Sequence, residues 1–186
     1  MARPTTTFLD EIVLAFRGCY ALLIGNRQAP SYFDFSQKGL VGSLIGVLLA
    51  IALSAFGPRL VGLSMPPGLA TQSVVVNVAM FLAQAGTAFL ALRQMGRQDG
   101  FLPYLVASNW ITLVTGVLLF LSQVLGGLGI VIILLIVVLA VASFVNIGRH
   151  IVTLTWVQIA LLFVSQLVGV LLAAAIVAMV VGLPAA

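Results

Sequence analysis

From Gly100 to Gly148 the chain runs 49 residues without an Asp, Glu, Lys or Arg. A bilayer core about 30 Å thick is crossed by roughly 20 apolar residues in a helix. The run therefore fits two spans and a turn, and a water-soluble domain has no use for it. Composition agrees: 62% of residues are apolar and 6% charged, with mean hydropathy +1.27, where soluble domains carry about 25% charged residues. A transmembrane barrel alternates polar and apolar residues with period two. The stretch Val131-Ile132-Ile133-Leu134-Leu135-Ile136-Val137-Val138-Leu139 does not alternate. The expected fold class is all-α, a polytopic membrane helix bundle.

The net charge of +4 comes from eight cations spread along the chain, with no basic patch among aromatics. No nucleic-acid partner is expected. Cys19 is the sole cysteine and His150 the sole histidine, so one chain offers neither a disulfide nor a metal site, and no cofactor is expected. Arg3, Asp10, Glu11 and Arg17 interrupt the first residues, which argues against a secretory leader.

Residues 1–38 read as a cytoplasmic or interfacial segment. Thr7 can cap a helix whose first turn holds Asp10 and Glu11. Phe8, Ile12, Phe16 and Tyr20 recur every four residues, with Leu9, Val13 and Leu23 beside them. That pattern predicts an amphipathic helix ending near Gly25, lying in the membrane interface or packing on a partner. Pro30 and the aromatic residues Tyr32, Phe33 and Phe35 follow. Asp34 or Ser36 then caps the next helix, and a functional role for Asp34 is the rarer alternative.

Residues 39–186 read as a five-helix transmembrane domain, with spans about 39–56, 72–92, 101–124, 128–146 and 155–183. Gly57-Pro58 ends the first span, and Gly126, Gly127 and Gly129 divide the uncharged run. With a cytoplasmic N-terminus, the inner segments hold Arg3, Arg17, Arg27, Lys38, Arg93, Arg97 and Arg149 and the outer ones only Arg59. Four spans would move Arg149 outside and need a helix of more than about 40 residues. The positive-inside rule favours five, with the C-terminus outside.

Helices in lipid associate through close packing at small residues. The first span carries Gly42, Gly46, Ala50 and Ser54 at four-residue spacing. The second carries Ala79, Ala83, Thr87 and Ala91, and the last a weaker series, Ala174, Ala178 and Gly182. Both main ridges are expected to face other helices, in this chain or in a second copy. Ionisable groups, which serve proton relays and voltage sensors, are missing from the spans. Neutral polar candidates for a lining or for interhelical contacts are Asn77, Gln84, Ser108, Asn109, Thr112, Thr115, Gln158, Ser165 and Gln166. Trp110 is expected between helices with Asn109 beside it, and neither Trp110 nor Trp156 in an interfacial belt. There is no GxSxG, HExxH or Gly-rich phosphate loop, so the chain reads as non-enzymatic.

Tyr32-Phe33-Asp34-Phe35-Ser36 before the first span, an arginine-containing loop after the second, and Phe101-Leu102-Pro103-Tyr104-Leu105-Val106-Ala107-Ser108-Asn109-Trp110 opening the third resemble the bacterial Yip-type membrane proteins, relatives of the Ypt-interacting proteins. Asn109-Trp110 is the most specific piece. The resemblance implies a five-helix bundle with a cytoplasmic N-terminus. The contact with small GTPases that it implies in eukaryotes does not carry over to bacteria. The leading functional expectation is a scaffold or accessory subunit. Its partners would be membrane lipids and either further copies or a larger membrane complex. The alternatives are a small transporter or channel for a neutral or lipid-like solute, and membrane shaping by the N-terminal helix. An odd number of spans fits poorly with paired inverted repeats.

Overall fold

The structure, a computed structural model of the chain, describes residues 8–181. Thr7, Gly182 and Leu183, named above as cap, ridge member and span end, lie outside the described residues. Six α-helices follow one another: α1 (Phe8–Leu23), α2 (Gln37–Leu60), α3 (Leu69–Gln94), α4 (Phe101–Val124), α5 (Gly129–Asn146) and α6 (Trp156–Val181). The described residues contain no strand. Five helices, α2 to α6, are long and apolar enough to cross a membrane, and the chain is a multi-pass membrane protein on that ground.

Local chemistry sets the ends. Ser36 caps α2: its Oγ accepts from the Gly39 N–H at 3.4 Å, while Asp34 Oδ1 accepts from the Ser36 N–H at 3.0 Å. The first span runs past its expected end. Gly57 and Pro58 lie inside α2, which closes only at Leu60. Pro58 falls in the last turn, where it removes the one N–H that would reach back to the Ser54 carbonyl. The helix then stops at Gly62, whose φ of 78° lets the Leu63 N–H reach back to the Pro58 carbonyl at 2.9 Å. The same left-handed closure ends α1 at Gly25 and α3 at Gly96. It satisfies carbonyls that hydrocarbon would leave unpaired. The glycines at 126–129 do separate two helices: a 3-10 turn, Gly126–Leu128, joins α4 to α5.

Packing follows an order unlike the chain order. α5 packs on α4, α4 on α2, α2 on α3 and α3 on α6. The parallel pair α2/α4 is the most extensive seam. Gly46 faces the Trp110 ring and Leu113, Ala50 meets Gly116, and Gly57 meets Phe120. Trp110 is 1% exposed, and the buried Asn109 Nδ2 donates to Ser43 Oγ at 3.0 Å.

α1 lies across one end of the bundle. Glu11 sits against Gly42 of α2, and the Leu22 carbonyl accepts from Asn146 Nδ2 of α5 at 2.8 Å. The packed face of α1 is Ala15, Gly18, Cys19 and Leu22. The stripe Leu9, Val13, Phe16, Tyr20 and Ile24 points outward, with Tyr20 64% exposed. The inward face uses small residues because Gly18 must fit under the Phe33 ring, 2.6 Å from where a Cβ would stand.

Candidate functional site

Arg17, Arg27, Lys38, Arg93, Arg97 and Arg149 all lie on elements that meet at the α1 end of the bundle, and Arg59 lies at the other. We call these the basic end and the far end. At the basic end a π-helical turn, Ile147–Ile151, continues α5. Arg97 then clamps the link to α6: its guanidinium donates to the Thr153 carbonyl at 3.0 Å, to Thr153 Oγ1 at 2.7 Å and to the Val152 carbonyl. Thr153 takes a φ of 58°, rare for a β-branched residue. The Arg97–Asp99 pair at 3.6 Å is open to water on the Asp99 side, 76% exposed, and adds little.

α6 opens with a reciprocal cap. Gln158 Oε1 accepts from the Thr155 N–H at 2.9 Å, and Thr155 Oγ1 accepts from the Gln158 N–H at 3.3 Å. Gln158, a candidate for a polar lining, is thus a capping residue; the signal is Thr-x-x-Gln before an apolar run. Trp156, expected away from an interface, is the first residue of the span, and the Arg149 guanidinium lies 4.7 Å over its ring centroid.

Between the α3–α6 pair and the α4–α5 pair the helices part around a cleft of 530 Å³. Its walls are Tyr104, Ser108, Ile111 and Thr112 of α4, residues of α5 from Ala140 to Val145, and Trp156, Ala160, Phe163 and Gln166 of α6, with Gln84 of α3. Phe144 and Phe163 bridge α5 and α6 edge to face at 5.7 Å. The size suits a small amphiphile, since ligand pockets run about 300–1,000 Å³. Most hydroxyls near the cleft bond back to their own helices: Ser108 to the Leu105 carbonyl, Thr112 to Ser108 and Ser165 to Leu162. Ser143 differs. It is 0% exposed, lines the cleft, and its Oγ has no hydrogen-bond partner among the described residues. An unpaired buried hydroxyl is costly.

A second cavity of 200 Å³ lies toward the far end, lined by Ser54, Asn77, Thr112, Thr115 and Gly116 among others. The two cavities share Thr112, about halfway along α4. They open because α3 and α4 are held together mainly at the basic end, where Phe89 and Phe101 stack edge to face at 5.2 Å.

The candidate residues therefore divide. The ridge Gly42, Gly46 and Ala50 is buried inside this chain, against α1 and α4, while Ser54 is exposed and accepts from Asn77 Nδ2 at 3.4 Å. On α3, Thr87 packs on Gly169 of α6 and Ala91 is buried, with Ala79 and Ala83 half-buried. The first ridge is thus used mainly against α1 and α4, and Thr87 of the second against α6. Gln166 Nε2 donates to the Gln84 carbonyl at 2.8 Å, tying α6 to α3 beside the cleft. Asn109 and Trp110 belong to the α2/α4 seam, and Asp34 to the loop before α2. Nothing in the sequence separates Ser143 from Ser165, also a serine in an apolar run; only the packing of α5 leaves its hydroxyl buried and unpartnered among the described residues. Among the described residues no three His, Cys, Asp or Glu side chains gather at one point.

No family model, no curated protein and no solved structure matches the chain. The Yip-type resemblance thus rests on its short sequence motifs alone.

Proposed function

We propose that the protein is a non-enzymatic facilitator of a bacterial inner membrane. It takes a lipid-like amphiphile sideways into the α5–α6 cleft and passes the polar end along the gap between α3 and α4. One observation carries this reading: neutral polar side chains gather around open space, in two cavities that both have Thr112 in their walls. The polar group would find Gln84, Ser108, Thr112 and Gln166, then Thr115, Asn77 and Ser54, while the tails stay in lipid. No charged group is needed, because a guest moving down its own gradient needs no proton relay. The positive-inside rule assigns the basic end to the cytoplasm and the far end, with Arg59, to the periplasm. The outward stripe of α1 would rest in the cytoplasmic interface.

The scaffold reading has less support, since the small-residue ridges that motivated it are mostly covered within one chain. Kinship with the Yip-type proteins fits the five spans and adds nothing about the guest.

The test is transbilayer movement of a fluorescent phospholipid in proteoliposomes, read by its quenching with a reductant that cannot cross the membrane. The wild type should hasten movement, Thr112→Ser should keep most of that rate, and Thr112→Phe should return it to the protein-free rate. Wild-type vesicles no faster than empty ones, with crosslinking that captures stoichiometric neighbours, would leave the scaffold as the better reading.

A further inference from the structure

The mouth of the cleft carries a charge that its interior lacks. Trp156 and Ile147 line the basic end of the cleft, and Arg149 lies over the Trp156 ring on the outside. Arg149 is exposed and has no carboxylate within ion-pair distance among the described residues. The 3-10 turn Ala29–Tyr32, which follows Arg27 closely in the chain, packs on the π-helical turn that carries Arg149. Deeper in, the walls are mainly apolar.

Resting on the reading that the cleft holds a lipid-like guest, we infer that this guest is an anionic phospholipid. Its phosphate sits at Arg149, and one acyl chain runs along Ala140, Ala160 and Phe163. The chemistry fits at each level. A guanidinium is the side chain best matched to a phosphate. Stacking on Trp156 holds it flat and fixes its position at the membrane boundary. A basic residue at an anionic surface favours such a lipid by about fivefold over a zwitterionic one.

The experiment uses tryptophan fluorescence of the whole protein in nanodiscs of brominated phosphatidylcholine. Bromine quenches Trp156 and spares Trp110, which is 1% exposed; Trp156→Phe identifies the signal. Unbrominated phosphatidylglycerol should relieve the quenching at mole fractions well below those at which unbrominated phosphatidylcholine does, an apparent preference of about fivefold. Arg149→Gln should abolish the preference and Arg149→Lys should retain part of it. Ala160→Phe and Ala140→Phe, which fill the cleft, should lower the quenching below that of the wild type, leaving only the share that surrounding lipid gives Trp156, which is 62% exposed. If both filling variants quench like the wild type, the cleft holds no lipid and the reading beneath this inference fails. If the cleft is occupied but phosphatidylglycerol and phosphatidylcholine relieve quenching equally, or Arg149→Gln changes nothing, the anionic assignment alone is overturned. Soluble glycerol phosphate that removes the preference would assign the site to a free phosphate ester and overturn the lipid.

Discussion

Glu11 reaches over Gly42 with one carboxylate oxygen buried and unpaired among the described residues. Burial first, and then the Asp34 carboxylate, raises its pKa above the ordinary value, while Lys38 pulls the other way. A raised carboxyl pKa means that the fold prefers the neutral acid. The associated stability is complete below the ordinary carboxyl pKa of about 4.3 and is lost as pH rises through the raised one. Thermal unfolding should therefore show Glu11→Gln more stable than the wild type at pH 7, by no more than a few tenths of a kcal/mol because water screens the half-buried side chain, and the gap should close at about pH 4. A variant less stable at pH 7 would show that the charge is needed there. Cys19 gives a second residue-scale expectation. Burial pushes its thiol up to about 12, so almost no thiolate exists at pH 8. Iodoacetamide should leave it unmodified for hours in the folded protein and label it fully in denaturant, as mass spectrometry would show.

Each span joins its partner through a particular match of sizes. A Cβ built on Gly46 would stand 3.5 Å from the Trp110 ring and Leu113, ordinary contact, whereas one built on Gly57 would stand 2.8 Å from Phe120. Gly46→Ala should thus keep the unfolding free energy in detergent within about 0.5 kcal/mol of the wild type's. Gly46→Leu should cost about 1–3 kcal/mol by overpacking the α2/α4 seam. Equal effects from the two would mean that the seam is loose. This contrast also shows what can be read without coordinates. Five spans, their charged breaks and the smooth face of α2 follow from period and charge, because lipid permits few alternatives. The partner of that face does not follow, since Gly42, Gly46 and Ala50 would suit any close neighbour. Nor does the cleft, which arises from where α3 and α4 fail to touch. Pro58 misleads because a proline in a last turn looks the same in sequence as one beyond it. Gln158 misleads because a cap and a polar lining use the same amide.

The molecule is tied together at one end and looser at the other. Arg97 joins the loop after α3 to the link before α6, and Asn146 joins α5 to α1, all at the basic end. Arg97→Gln should leave all six helices in place by circular dichroism, yet raise amide hydrogen exchange around residues 96–100 and 151–155 together. Exchange confined to one loop would show that the clamp does not couple them. The packing order α5, α4, α2, α3, α6 bears on how the protein is made. α3 emerges from the ribosome long before α6, the helix that covers Thr87 and ties to Gln84. A nascent chain must hold that half-finished face in the translocation machinery, or lend it to a chaperone, until the final helix is released. Chains cut short before Trp156 would expose it permanently and present themselves to membrane proteases as unfinished goods.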